Sequence, residues 1–353
     1  MNLEQLGWNN HLEEEFAPFN GSGYSVGRVA LEHKHMYRIL TEQGELLGEV
    51  SGKFRHESFE KSQFPAVGDW VVISARPDEK KATIHKVLPR FSKFSRNSAG
   101  LVTEEQLVAA NINTVFLVTG LNNDFNIRRI ERYLVTAWDS GANPVVILSK
   151  CDLCDDIPAK IAEVESVAFG VPIYAISATN GIGMDQLDKY LSEGQTVALL
   201  GSSGAGKSTL CNTLLGQIKQ QVKEVREGDD KGKHTTTHRE LMLIPGGGIL
   251  IDTPGMRELQ LWEVDGGMSH GFSDIEDLAQ QCLFNDCQHK NEPSCQVKLA
   301  IEEGVLDQKR YDNYVKFQKE LAFLERKNNK RTQLEEKAKW KKISGDRTRV
   351  HKK

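Results

Sequence analysis

The sequence predicts a multidomain chain: an N-terminal OB-type β-barrel, a central α/β domain on a mostly parallel sheet, and a C-terminal, mostly helical domain around a cysteine and histidine cluster. Three observations predict it. Five short β-type runs lie between positions 24 and 88, strands and helices alternate from Thr114 to Ile251, and three cysteines and a histidine fall between Cys282 and Cys295. A chain of 353 residues accommodates two or three such domains. The expected divisions are 1–100, 101–262 and 263–353.

The first block holds the runs Tyr24–Leu31, Met36–Leu40, Glu45–Val50, Gly68–Ser74 and Ala82–Leu88, separated by turns carrying Gly, Pro and Asp. Five short strands suit an OB-type barrel, although propensity alone admits any small β module. Lys53, Arg55, Lys61, Lys86, Arg90, Lys93 and Arg96 give this block a basic surface that would suit RNA. The extension before it, Met1 to Phe16, is polar and acidic and lacks the basic region and apolar core of a signal peptide.

In the second block, Thr114–Thr119, Val145–Leu148, Ile173–Ile176 and Thr196–Leu200 are apolar runs of strand length. Between the first two, Ile127, Ile130, Tyr133, Leu134, Ala137 and Trp138 recur at helical spacing. Strand, helix, strand of this kind gives a parallel sheet with right-handed crossovers. Leu241–Ile244 and Gly248–Ile251, joined by Pro245 and glycines, read as a hairpin near the sheet edge.

The motifs on this sheet come in an unusual order. Ser149-Lys150-Cys151-Asp152 ends one strand, Ser177-Ala178 ends the next, and only then comes the phosphate-loop pattern running from Gly201 to Ser208. An ordinary GTPase has the phosphate loop first and the base-reading segments last. The order here is that of the same fold circularly permuted, a rearrangement that closely spaced surface termini permit.

Each motif carries its own chemistry. Gly201, Ser202, Ser203, Gly204, Ala205, Gly206, Lys207, Ser208 and Thr209 stand between a strand and a helix, where backbone N–H groups cradle phosphate oxygens. Lys207 would reach the β and γ phosphates, and the Ser208 hydroxyl would hold Mg²⁺. Asp252, ahead of Thr253-Pro254-Gly255, would sit in the Mg²⁺ shell, with the Gly255 N–H on the γ-phosphate. Among Thr235, Thr236 and Thr237, the spacing to Arg239 and the next strand selects Thr236 to close on Mg²⁺. The Asp152 carboxylate accepts from guanine N1–H and the exocyclic amine, whereas adenine presents an acceptor at N1. GTP and GDP are therefore the expected nucleotides. The Lys150 stem would cover the ring, and the Ala178 N–H would meet guanine O6.

Cys282-x4-Cys287-x-His289-x5-Cys295 supplies four ligands for one structural Zn²⁺, leaving no open coordination position. With no apolar run of about 18 residues the chain reads as non-membrane, and its cysteine pattern suits a reduced, cytoplasmic compartment. The net charge of −4 hides a basic end. Residues 326–353 carry twelve Lys/Arg against Glu335, Glu336 and Asp346. Such an end is either a solvated tail or a polyanion contact, with Trp340 available for base stacking.

Permuted motifs behind a β-barrel and ahead of a Cys3His cluster make the chain resemble the ribosome small-subunit-dependent GTPase A family, RsgA, over residues 24–325. The resemblance implies a monomer whose barrel and zinc domain contact ribosomal RNA. It implies GTP hydrolysis stimulated by the small ribosomal subunit during late assembly. It also implies a catalytic role for the switch histidine, here His234, alongside Lys207 and Thr236. Two positions depart from the common GTPase pattern: Ser149 stands where the guanine-reading segment usually has Asn, and Met256 stands where Ras-like proteins position water with Gln. The alternative is an RNA-binding assembly factor gated by GTP without turnover; an ATPase would require Asp152 to be incidental.

Overall fold

The structure, a computed structural model, describes residues 2–58, 60–97, 105–216, 239–252, 271–284, 286–290, 292–319 and 321–322. They divide into two compact units, one reaching residue 252 and including Gly271, the other from Phe272 onward.

The first unit begins with a short helix, α1 (Asn10–Phe16), capped by the Asn9 side chain, which accepts from the Leu12 N–H. Its sparse apolar residues, Leu12 and Phe16, are buried together with Leu6. The barrel follows: β1 (Ser25–His33), β2 (Met36–Thr41), β3 (Gly44–Val50), β4 (Trp70–Arg76) and β5 (Lys81–Val87). Their order is β1-β2-β3-β5-β4, with β4 closing on β1 and β3 parallel to β5. Closure removes the exposed edges that a short five-stranded sheet would otherwise present. Alternate residues point inward, and Val29, Tyr37, Ile39, Leu46, Val71, Ile73 and Ile84 fill the interior. Helix α2 (Gly52–Glu57), capped by Ser51, connects β3 toward β4.

A two-stranded ribbon, β6 (Lys93–Asn97) with β7 (Glu105–Ala110), leads into the second sheet. That sheet contains β8 (Thr114–Gly120), β9 (Asn143–Ser149), β10 (Ile173–Ala175), β11 (Thr196–Gly201), β12 (Glu240–Leu243) and β13 (Ile249–Asp252). The order is β10-β9-β8-β11-β13-β12, parallel except for β12. Its helices are α3 (Ile127–Asp139), α4 (Ile157–Glu165) and α5 (Lys207–Leu215). The chain runs outward from β8 to β10, then returns to the other side of β8 as β11. Neighbouring strands thus lead their connections to opposite sides between β8 and β11, and such a switch point opens a crevice at the strands' C-terminal ends. One register pair, Leu31 with Glu240, joins barrel and sheet, and the Arg38–Glu240 ion pair lies beside it.

A buried cation fixes that junction. Arg28 on β1 is 1% exposed, and its guanidinium donates to three carbonyls: Gly68 at 3.2 Å, Leu6 at 2.5 Å and Asn111 at 2.9 Å. Burial pushes its pKa down to about 9 while Asp69 opposes the shift, so it stays cationic at neutral pH. Asp69, itself buried, is held by both Arg90 Nε and Nη2 at 2.7 Å. Gly68 (φ 93°) has no room for a side chain, since a Cβ would lie 2.1 Å from the Ala110 carbonyl.

The second unit contains α6 (Ser273–Gln280), α7 (Gln296–Glu302) and helical residues 308–319. Phe272 packs against Tyr314 and Phe317 at centroid distances of 5.5 and 5.6 Å. Arg310 grips Asp274 with two 2.7 Å bonds and lies over the Phe272 ring.

Replacing Arg28 with Ala would leave the buried Leu6 and Asn111 carbonyls without this donor, while the Gly68 carbonyl would keep the Asn111 Nδ2–H at 3.1 Å. We expect a loss of about 3 kcal/mol or more in urea unfolding. An unchanged unfolding midpoint would show that water replaces the guanidinium at no cost.

Candidate functional site

The end of β11 and the start of α5 set the geometry of residues 201–207. Gly201 pairs with Val118 on β8, and a Cβ there would lie 2.2 Å from the Val118 carbonyl oxygen. The chain then turns through positive φ at Gly204 (75°) and Gly206 (90°) into α5. Such a turn gathers successive N–H groups in one concavity at the positive end of a helix. Lys207 Nζ donates to the Gly201 carbonyl at 2.8 Å and also to the Ser202 carbonyl. Ser208 and Thr209 occupy the first turn of α5.

Strands β8 and β9 bring the base-reading segment to the same end of the sheet, with Gly120 opposite Ser149. The Ser149 hydroxyl, almost wholly buried, donates to the Ala205 carbonyl at 2.6 Å; Thr119 O lies farther off at 3.3 Å. A hydroxyl has one proton, and the shorter contact takes it. The shorter side chain at this position therefore still ties the Ser149-Lys150-Cys151-Asp152 segment to the phosphate loop.

Lys150 adopts a left-handed conformation (φ 59°), and its Cδ lies 3.7 Å from where a Cβ on Gly120 would be. Its stem therefore runs along the end of β8. Asp152 follows on an exposed turn. The Cys151 N–H donates to the Ile176 carbonyl at 3.1 Å, which places this turn beside Ser177 and Ala178. Ser177 is buried and exchanges two backbone hydrogen bonds with Ile182 at 3.0 Å. The Thr213 hydroxyl of α5 lies 3.3 Å from the Ala178 carbonyl while donating to the nearer Thr209 carbonyl at 3.0 Å. Asp252 ends β13, directly beside β11. The described motif residues thus converge at one end of one sheet, although 56 positions separate Ser149 from Ala205. His234, Thr236, Gly255 and Met256 lie outside the described residues.

In the second unit, Cys282, Cys287, His289 and Cys295 place one ligand atom each within 4.8 Å of one another, a cluster that can hold a metal ion. Cys282 Sγ lies 3.9 Å from Cys295 Sγ and 3.6 Å from His289 Nδ1, with 3.3 Å between His289 Nδ1 and Cys295 Sγ. Tetrahedral bonds of about 2.3 Å to sulfur and about 2.0 Å to nitrogen predict edges of about 3.8 Å between sulfurs and about 3.5 Å between sulfur and nitrogen. The donors fit such an ion. Burial pushes the His289 imidazole's pKa down, against the opposing charge of Glu292, and favours the neutral ring that binds metal.

One contact to the phosphate loop has no counterpart in the sequence reading. Asp124, after β8, accepts from the Ser202 hydroxyl. A carboxylate there runs against the charge rule for a phosphate site, so a motif search passes over it. The nearest sequence signal is the polar Asn122-Asn123-Asp124 cluster between an apolar strand and a helix.

A phosphate loop at the switch point of a permuted parallel sheet, tied by a hydroxyl to a Lys-x-Asp turn, defines a P-loop nucleotide-binding protein. A model of the RsgA GTPase family matches residues 87–262. A model of the ABC transporter family matches residues 184–350, a span that includes the phosphate loop. A protein of Oceanobacillus iheyensis, "Small ribosomal subunit biogenesis GTPase RsgA 1", is 47% identical over 345 residues, covering 98% of each chain. The crystal structure of YjeQ from Thermotoga maritima is 31% identical with a TM-score of 0.62, covering 85% of this chain and 99% of that one. The structure of YloQ, described as a circularly permuted GTPase, shares the fold at 24% identity and a TM-score of 0.60, covering 85% of this chain and 95% of that one. The chain belongs to the RsgA GTPase family.

Two outcomes follow from this geometry. Ser149→Ala should weaken GDP binding in a titration by about three- to tenfold, the effect of one lost hydrogen bond; unaltered affinity would mean the tie does not shape the pocket. Metal analysis of Cys287→Ala should show the bound metal lost, and full occupancy would remove Cys287 from the ligand set.

Proposed function

We propose that this chain is a GTP hydrolase acting in late maturation of the small ribosomal subunit, binding ribosomal RNA and turning over in response to the subunit. The observation that carries the nucleotide reading is the Ser149 to Ala205 bond. It couples a guanine-reading turn to a phosphate loop in one pocket. The names of full-length relatives, as small ribosomal subunit biogenesis GTPases, support the biological setting.

In this reading Asp152 selects guanine, Lys150 covers the base and Ala178 offers its N–H. The 201–209 segment cradles the phosphates, with Lys207 on the β and γ groups. Bound Mg²⁺ would supply positive charge at the phosphates being cleaved. Ser208, Thr236 and Asp252 would hold it, and Gly255 would sense the γ-phosphate. His234 would orient the attacking water, a role that the thioether of Met256 cannot fill. The metal of the second unit is one structural Zn²⁺, because three thiolates and an imidazole close its tetrahedron.

The 1–100 barrel and the zinc-bearing 263–353 segment, with its basic tail, would contact RNA around the 101–262 GTPase domain. The protein would work as a cytoplasmic monomer. Among the described residues no helix is long and apolar enough to cross a membrane. A non-hydrolysing RNA-binding factor remains the second reading. Met256 favours it, whereas the Ser149 hydroxyl, bonded to the Ala205 carbonyl, still ties the guanine-reading turn to the phosphate loop.

The two readings separate in multiple-turnover phosphate release with purified small subunits. Stimulated release is expected, and it should fall about 10²-fold in His234→Ala with little change in GTP affinity. A variant hydrolysing at the wild-type stimulated rate would remove His234 from the mechanism, and no stimulated release at all would favour the non-hydrolysing factor.

A further inference from the structure

The connection from Gly120 to Asn126 is held by a series of short-range bonds. Asn122 accepts twice, at its side chain from the Asp124 N–H (3.3 Å) and at its carbonyl from the Phe125 N–H (2.9 Å). Asn126 caps α3 by accepting from the Arg129 N–H at 3.1 Å. Together these turns present the Asp124 carboxylate to two donors. Oδ2 accepts from the Ser202 hydroxyl, and Oδ1 accepts from Arg129 Nη1 at 2.7 Å. Asp124 and Arg129 are each about two-thirds buried, their side chains 30% and 32% exposed.

Ser202 has a second bond of consequence. Its carbonyl accepts from Lys207 Nζ, the cation expected to meet the phosphates. A single residue therefore stands between the Asp124 carboxylate and the Lys207 ammonium. A hydroxyl anchored on one side restricts the torsions that aim the carbonyl on the other. Left alone, an anionic side chain at this place would repel a nucleotide's phosphates; Arg129 cancels that charge while leaving one oxygen free to hold Ser202.

We propose that Asp124 is a positioning residue for phosphate binding: it fixes Ser202, whose carbonyl places Lys207 Nζ, and Arg129 neutralises it so that the phosphates meet no added negative charge. This rests on the phosphate-loop reading above. It adds a residue from the first turn after β8, outside the motif, to the machinery of that loop.

The test compares GDP affinity by calorimetry, and steady-state GTP hydrolysis with small subunits, for the full chain and its Asp124→Ala, Asp124→Asn, Ser202→Ala and Lys207→Ala variants. Asp124→Ala should weaken GDP binding about tenfold and raise KM while kcat per folded molecule holds. Asp124→Asn should recover most of that loss, because an amide oxygen still accepts from the hydroxyl. The Asp124→Ala, Ser202→Ala double variant should be no weaker than the worse single one, since both break one chain of contacts.

Wild-type affinity in Asp124→Ala, with binding lost in Lys207→Ala, would overturn the proposal and leave the phosphate loop standing. An Asn variant as weak as the Ala variant, with both melting early, would reduce Asp124 to a fold-stabilising role and also overturn it. Normal GDP binding by Lys207→Ala would sink the phosphate-loop reading itself, and the proposal with it.

Discussion

A guanidinium sealed from water must be met by carbonyl oxygens, and Arg28 draws its three from parts of the chain that are remote in sequence: Leu6 before the barrel, Gly68 within it and Asn111 after it. That requirement locks the N-terminal segment, the barrel and the entry to the second sheet into one arrangement. Apolar packing alone would allow them to slide, since dispersion contacts carry little direction. Asp69 and Arg90 extend the same lock, because Arg90 also donates to the Ser62 and Phe64 carbonyls at 2.8 and 3.0 Å. The main apolar core is continuous across the junction, containing Trp70 of the barrel as well as Val115 and Ile249 of the sheet.

At the other end of β8 a smaller set of polar bonds does comparable work for the site. Permutation has changed which segments are neighbours in sequence and has left the pocket's spatial neighbours alone. The pocket depends on strand order and register, which put Gly120, Ser149 and Gly201 at the ends of adjacent strands. Hydrogen bonds across those ends, from Ser149 to Ala205 and from Cys151 to Ile176, then do what covalent continuity cannot. In the sequence, Asp252 leads toward the Cys3His cluster rather than into more of the sheet. The γ-phosphate sensor proposed there would precede, along the chain, the segment proposed to hold RNA.

Much of this was legible in the sequence because it is local. The five barrel strands and the apolar runs of the parallel sheet follow from alternation and β-branched content, and each recurs within a few residues of its expected bounds. Glycine spacing marks the phosphate loop and ligand spacing marks the metal cluster. What escaped is non-local or runs against type. Arg28 in Val26-Gly27-Arg28-Val29 carries a charge of the kind that side chains normally keep in solvent, yet it is buried. Helix α1 has too few apolar residues for a periodic signal, and β6 is largely polar. Ser149 reads as a weakened Asn until the sheet shows Ala205 within its reach. Asp124 carries the wrong charge for its surroundings until Arg129 is placed beside it.

In the proposed function, three strand ends make one guanine-nucleotide pocket despite their permuted order. Competition of GDP and ADP for the same site, in the wild type and in Asp152→Asn, tests it most directly. Roughly a hundredfold preference for GDP is expected in the wild type, because adenine would leave the Asp152 carboxylate facing an acceptor, with a clear narrowing of that preference in the variant. Equal affinities for the two nucleotides, or a preference that Asp152→Asn leaves intact, would contradict it.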